Sequence, residues 1–286
     1  MKKFRDLTEP YLIAEIGINH NSDIQIAKKL IDATFACGWD CAKFQKRTPE
    51  LCVPDHQKNV IRKTPWGEMT YLDYKLKIEF EKEEYDLIDL YCKQKPLDWT
   101  ASVWDLKSLD FICEYDVPFL KIPSALITEK ELVEEVARTK IPIIISTGMS
   151  TEDEVDNAVN VITKHNNDLV VMHCNSSYPS KIDELNLNSI PRMINKYSKD
   201  GIVIGYSGHE YGLDSTTIAA SLGAMVIERH VTIDHGMWGT DQSSSIEITG
   251  MDKLYKQVRN VKSMMGDGVK KIYDSEKEIR KKLRGY

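Results

Sequence analysis

Eight short apolar runs alternate with amphipathic stretches along the whole chain, and this alternation limits the fold more than any other feature of the sequence. The runs are Tyr11–Ile16, Cys41–Gln45, Trp99–Val103, Phe119–Ile122, Ile141–Ser146, Leu169–His173, Ile202–Tyr206 and Met225–His230. They are apolar almost throughout, as parallel strands covered on both faces must be. Between them, helical patterns span Ile24–Cys37, Glu83–Lys93, Leu106–Tyr115, Glu129–Thr139, Thr151–His165, Leu187–Tyr197 and Asp214–Leu222, and Met251–Met265 follows the last run. Ser150-Thr151-Glu152-Asp153 reads as a helix start with acids in its first turn. Eight βα units predict a (β/α)8 TIM barrel. The rival is a doubly wound open sheet. The count of eight, and the lack of a GxGxxG after the first run, favour the barrel.

A chain of 286 residues fits one such barrel, since barrels of about 250 residues form single domains. The expected boundaries are 1–266 for the barrel and 267–286 for a charged C-terminal helix or tail. A long insertion, 46–77, follows the second strand. Pro49, Pro54, Pro65 and Gly67 mark it as an ordered loop rather than a helix. The net charge of −6 argues against a dedicated nucleic-acid binder. It leaves an anionic ligand open, because local cations decide that. No apolar run approaches the roughly 20 residues of a membrane span, and MKKFRDLTEP has no apolar core behind its lysines, so it is not a signal peptide. The six cysteines form no CxxC pair, which points to a reduced, cytoplasmic chain.

In a barrel, function lies at the C-terminal strand ends. In order these ends read Glu15 to His20, Lys43-Phe44-Gln45, Thr100-Ala101-Ser102, Lys121-Ile122-Pro123-Ser124, Ser146-Thr147-Gly148-Met149, His173-Cys174-Asn175-Ser176, Tyr206 to Glu210, and Glu228-Arg229-His230. Lysines and hydroxyls on adjacent strand ends suit a phosphate or phosphate-plus-carboxylate ligand. The structural alternative is that Lys43 and Lys121 merely pair with acids such as Glu15 or Glu228. His209 and His230 end neighbouring strands, and Glu15 ends the strand that closes against the eighth. Two imidazoles and a carboxylate would suit Mn²⁺, Fe²⁺ or Zn²⁺. His20, His56, His165 and His235 read as ordinary surface or loop histidines, and His173 as a hydrogen-bonded interior one.

These stretches, with Ser176-Ser177-Tyr178-Pro179 and Glu228-Arg229-His230-Val231-Thr232, follow one another in an order that resembles the N-acetylneuraminate (sialic acid) synthase family over residues 11–245. The resemblance implies a barrel that condenses phosphoenolpyruvate with the aldehyde of an open-chain sugar, consuming water and releasing phosphate by C–O cleavage. The product would be a 2-keto-3-deoxy sugar acid. Carried onto this chain, His209 and His230 resemble ligands of a divalent metal, Mn²⁺ first with Mg²⁺ or Co²⁺ as alternatives. Glu15 resembles the catalytic carboxylate beside it. Lys43, Ser102, Lys121, Ser124, Ser146, Ser176 and Ser207 match positions that hold phosphoenolpyruvate, and Gln45 and Asp241 match sugar contacts. The resemblance also implies a homodimer.

Two departures concern the acceptor sugar. The small C-terminal antifreeze-like domain of many members, which contributes an arginine to the sugar's acyl group, is expected to be absent. Leu126 stands where sialic-acid-forming members often have a glutamate. N-acetylmannosamine is the default acceptor, and a diamino-dideoxy hexose or an unacylated sugar stays open. The loop around Lys63-Thr64-Pro65-Trp66-Gly67-Glu68-Met69 either covers the acceptor, with Trp66 or Arg62 in contact, or forms a dimer interface. Two other readings stand beside condensation. One is a barrel aldolase or isomerase using Lys43 or Lys121; the other is a non-catalytic barrel that binds a sugar acid or a partner.

Overall fold

Alternation of side chains along each strand organises the molecule. A computed structural model describes residues 3–285. Eight parallel strands close into a barrel: β1 Tyr11–Gly17, β2 Cys41–Lys46, β3 Asp98–Val103, β4 Leu120–Ile122, β5 Ile143–Ser146, β6 Leu169–Cys174, β7 Val203–Gly208 and β8 Val226–Thr232. Each pairs with the next, and β8 closes back on β1. A two-residue strand, Ile246–Glu247, adds to the outside edge of β8. The fold is the (β/α)8 barrel expected from the alternation, with every strand at its expected position to within two residues at either end.

Because successive residues point to opposite faces, each strand supplies one row to the barrel interior and one to the helices. The outer row includes Leu12, Ala14 and Ile16 of β1, Ala42 and Phe44 of β2, and Ile143 and Ile145 of β5, all buried under the helices. The inner row begins with Ile13, Cys41, Phe119, Ile144, Val170, Met172 and Val226. Phe4, in a short 3-10 turn at the start of the chain, caps this layer by packing edge-on against Phe119 and Tyr11. Its burial contributes about 1.5–3 kcal/mol, and it stoppers the N-terminal end of the barrel.

Two residues further along the same inner row the chemistry changes. Ile13 gives way to Glu15, Cys41 to Lys43, Phe119 to Lys121, Ile144 to Ser146 and Val226 to Glu228. The strand register confirms one layer: Glu15 lies beside Lys43, and Glu228 beside Ser207.

The helices start as their sequences dictate. Asp23 caps Ile24–Ala36 through the Gln25 amide, and Thr151 with Glu154 forms a capping box before Glu152–Thr163. The insertion after β2 departs from the expected loop. It holds two short helices, Pro49–Cys52 and Asp55–Lys58, an antiparallel hairpin of Ile61–Thr64 with Gly67–Thr70, and a helix, Tyr71–Ile78. The prolines lie at helix starts and in the hairpin turn, not inside elements, so they punctuate structure instead of preventing it. A further helix, Asp274–Arg284, is charged and has no buried residue. No helix among the described residues is long and apolar enough to cross a membrane.

Candidate active site

Every candidate residue except Asp241 lines one cavity of about 310 Å³ at the C-terminal mouth of the barrel. Glu15, Gln45, Lys43, Ser102, Lys121, Ser124, Ser146, Ser176, Ser207, His209 and His230 meet there. A larger cavity of about 660 Å³ lies over the ends of β5 and β6 and shares Met149, Cys174 and Ser176 with it. That larger space is walled by the Glu152–Arg192–Lys196 surface ion pairs and lacks both imidazoles, so the chemistry belongs to the smaller one.

The floor is a quartet of charges, each no more than 5% exposed. Lys43 pairs with Glu15 at 2.7 Å and with Glu228 at 3.5 Å, and Lys121 pairs with Glu228 at 3.1 Å. The pairing expected of the structural alternative is therefore present, but it runs around the wall of an open cavity, where a ligand's anionic groups can share the same ammoniums. The two carboxylates differ. Burial works against charge on Glu228, but attraction from Lys121 and Lys43 outweighs it and holds the carboxyl down at about 2. Burial dominates at Glu15, helped by repulsion from Glu228, and raises its pKa despite Lys43. Burial alone would depress Lys43, but Glu15 and Glu228 raise it, whereas burial wins at Lys121 and lowers it. Two carboxylates with pKa values pushed apart are suited to different roles.

Hydroxyls and amides line the side walls. Ser207 donates to Glu228 at 3.3 Å. Ser124 accepts from the Gly148 amide at 3.0 Å. Ser146 has a buried hydroxyl without a partner, free to meet a ligand oxygen. Gly148 is required here, because a Cβ would collide with the Ser176 hydroxyl and stand 3.0 Å from that of Ser124. Gly17 turns the chain at φ +54°, and a Cβ there would stand 3.0 Å from the Gln45 amide and 3.2 Å from the Glu15 carboxylate.

The two imidazole rings are 5.4 Å apart. His209 Nδ1 lies 2.7 Å from the Asn175 carbonyl. Donation to that carbonyl fixes the tautomer and leaves Nε2 with its lone pair. His230 Nδ1 is buried without a hydrogen-bond partner, and Asp241 approaches it to 3.9 Å. Among the described residues, no three His, Cys, Asp or Glu side chains form a closed metal cage. Two imidazoles, one tautomer-fixed and one with an orphaned nitrogen, nevertheless fit an open site for a borderline divalent ion whose other positions go to substrate or water.

On the acceptor side, the Gln45 amide donates to Glu15 at 2.9 Å, and Gln45 accepts from Arg47. Asp241 is held by Thr240 at 2.7 Å and sits above His230. The insertion reaches over this side. Trp66 and Tyr74 both pack edge-on against Trp238, at 6.0 and 5.1 Å between ring centroids. Arg62 instead lies over the Tyr71 ring.

Four residues join the site beyond those given a site role from the sequence. Glu228, which the strand ends offered only as a possible partner of the lysines, anchors both of them. Trp104 lines the cavity one residue past β3 and donates to Ser102 at 3.3 Å. Tyr178 covers His209 at 4.1 Å between centroids. Arg47 stacks on Trp104 at 4.2 Å. One histidine differs from expectation. His20 is buried and stacked on Phe80 at 3.8 Å, because the segment after the insertion folds back over β1. His173 meets the Leu185 carbonyl at 2.7 Å, as expected of an interior histidine.

The sequence profile described as the NeuB family matches residues 30–270. The mouse protein named N-acetylneuraminate-9-phosphate synthase is 35% identical over 279 residues, covering 96% of this chain and 76% of its own. The N,N'-diacetyllegionaminic acid synthase of Campylobacter jejuni is 33% identical over 281 residues, covering 95% and 83%. Among solved structures, the N-acetylneuraminic acid (sialic acid) synthetase of Leptospira borgpetersenii, in complex with citrate, superposes with a TM-score of 0.84 at 28% identity, over 98% of this chain and 94% of that one.

Proposed function

This chain belongs to the NeuB family and is a synthase-type enzyme, and from that premise we propose that it condenses phosphoenolpyruvate with an open-chain aldose to give a nonulosonic acid and phosphate. One observation carries the reading. Two buried lysines, five serines, a carboxylate of raised pKa and two imidazoles line a single cavity at the barrel mouth.

Lys43 and Lys121 would take the carboxylate and phosphate of phosphoenolpyruvate by sharing their carboxylate partners, and Ser102, Ser124, Ser146, Ser176 and Ser207 would hydrogen-bond the remaining oxygens. Fixing the enol carbon opposite the aldehyde is mainly a positioning effect. The floor holds two ammoniums against two carboxylates. A divalent ion held by His209 and His230, Mn²⁺ first and Mg²⁺ or Co²⁺ as alternatives, would polarise the aldehyde oxygen as a Lewis acid and add the positive charge the floor lacks. Glu15, which lines the same cavity and has a raised pKa, would orient or deprotonate the water that adds to the phosphate-bearing carbon. Gln45 and Asp241 hold the sugar, and the insertion covers it. The contacts of Trp66 and Tyr74 with Trp238 favour the cover over the interface reading. The resemblance adds a cytoplasmic homodimer to the proposal.

Imine chemistry needs an unprotonated amine. Lys43 is held protonated by two carboxylates, and Lys121, although burial lowers its pKa, has its ammonium engaged by both oxygens of Glu228 at 3.1 Å, so borohydride trapping with a carbonyl substrate is expected to fail. The condensation is tested by phosphate release from phosphoenolpyruvate across hexosamines and hexoses, with Mn²⁺ or with EDTA. Release that needs both metal and one acceptor is the expected result. No binding of phosphoenolpyruvate at all would overturn the reading.

A further inference from the structure

A second group of cations stands above the acceptor side of the cavity, and the steps described so far do not use it. Lys75, on the helix Tyr71–Ile78, is 7% exposed. Its ammonium lies over the Tyr74 and Tyr71 rings, at 5.1 and 5.3 Å from their centroids. Among the described residues it has no ion-pair or hydrogen-bond partner. A buried cation held only by ring faces is costly to keep, since its charge is desolvated with no counter-charge in contact. Burial first, and then repulsion from Arg47, draw its pKa down to about 8, with Arg62 adding to the repulsion and Asp241 and Glu79 opposing it.

Arg47 is the cation that repels it most. It is 8% exposed, its guanidinium stacks on Trp104, and its Nε is buried without a hydrogen-bond partner. The carboxylate that could neutralise the pair is already engaged. Glu79 lies 3.3 Å from Lys46, accepts the Arg47 amide at 3.0 Å, and approaches Arg47 Nε only to 3.9 Å. The cluster thus carries excess positive charge. Its position is defined by its neighbours: Arg47 donates to Gln45 and stacks on Trp104, both lining the cavity, and Lys75 faces Asp241. Neither cation lines the cavity itself; both stand behind Gln45, Trp104 and Asp241, on the side assigned to the acceptor.

We propose that Lys75 and Arg47 form a seat for a phosphate ester on the terminal carbon of the acceptor, so that the acceptor is a hexosamine phosphorylated on O6. This deepens the condensation reading and rests on it. An arginine fork beside a lysine point charge is suited to a phosphate monoester. The ester is a spectator. The C–C bond forms between the enol carbon of phosphoenolpyruvate and the aldehyde carbon, and the aldehyde oxygen takes a proton to become a hydroxyl. Water adds to the phosphate-bearing carbon of phosphoenolpyruvate, and only that phosphate leaves. Three carbons are added at the aldehyde end, so the retained ester moves from position 6 to position 9. Identity does not decide this point, because relatives named for a 9-phosphate product and for an unphosphorylated one are 35% and 33% identical. The unpaired Lys75, with Arg47 beside it, decides it.

The test compares kcat/KM for N-acetylmannosamine 6-phosphate and N-acetylmannosamine in wild type, Lys75→Met and Lys75→Arg. The expected wild-type preference for the phosphorylated sugar is at least thirtyfold. It falls at least tenfold in Lys75→Met and is largely restored in Lys75→Arg, which a variant damaged only in folding would not show. Calorimetric titration with the reduced, unreactive alditol 6-phosphate runs in parallel and needs no turnover. If neither sugar reacts while phosphoenolpyruvate binds, condensation with these acceptors fails, and the titration alone decides the seat. A wild-type preference below threefold, or equal alditol phosphate affinity in wild type and Lys75→Met, overturns the proposal. So does a rise in the KM of phosphoenolpyruvate larger than that of the acceptor, which would assign the cations to the other substrate.

Discussion

Glu15 and Glu228 are chemically the same group in one cavity, yet their neighbours give them opposite tasks. Glu228 is the fixed counter-charge of two lysines, and Glu15 is the carboxylate with a raised pKa. Glu15→Gln keeps size and hydrogen bonding but removes the base. Turnover is expected to fall at least 100-fold while Mn²⁺ still binds stoichiometrically, as followed by electron paramagnetic resonance; near-wild-type turnover would remove Glu15 from the chemistry. Lys75 makes a pH prediction. With a pKa of about 8, it is charged below that value and neutral above it. In the free enzyme, kcat/KM for a phosphorylated acceptor should therefore decline as pH rises through about 8. Lys75→Arg, which stays charged, should move that decline above pH 9. Arg47, Arg62, Glu79, Asp241, Tyr71 and Tyr74 face the ammonium. An unshifted profile in Lys75→Arg would mean that another group titrates.

At the scale of elements, β1, β2, β5 and β8 each carry an apolar residue and then a polar one on the inner row, and that spacing was legible in the sequence. Ile13 and Glu15, Cys41 and Lys43, Ile144 and Ser146, and Val226 and Glu228 are each two apart, so one rule of alternation places the polar members together inside the barrel. Eight strands and seven of the intervening helices follow from periodicity alone. The insertion does not. Its helix Tyr71–Ile78 is signalled by Thr70 capping the Asp73 amide, but its hairpin alternates weakly, and both strands are mostly exposed. What fixes it is Trp238, more than 160 residues away, and no local pattern reports a partner so distant. His20 was misjudged for the same reason, since Phe80 buries it from across the insertion. The turn after β5 offers a direct test of the site's close packing. Gly148→Ala would displace the Ser176 and Ser124 hydroxyls, so steady-state kinetics should show the KM of phosphoenolpyruvate raised at least tenfold, with a smaller change for the acceptor. Equal rises in both would show that the turn does not belong to the phosphoenolpyruvate side.

The whole molecule stores part of its stability where its layers meet, and acid should expose this. Burial pulls the pKa of His20 down to about 3. The unfolded chain takes up a proton near pH 6.5, and the folded chain does not until about pH 3. Stability is therefore lost as pH falls through this window, by about 1.4 kcal/mol per unit and about 5 kcal/mol in total. Thermal unfolding should show a shallower decline between pH 7 and 5 for His20→Phe than for wild type; parallel declines would acquit His20. The stopper formed by Phe4 and the apolar inner layer has a different consequence. The barrel is a blind tunnel, with one opening for everything that enters or leaves. The substrate held on the floor must arrive before the one held at the rim, and a sugar that arrives early bars the way behind it. Initial-rate kinetics should then be ordered, with phosphoenolpyruvate first, and excess acceptor should inhibit in competition with it. A random order would mean that the queue can be bypassed.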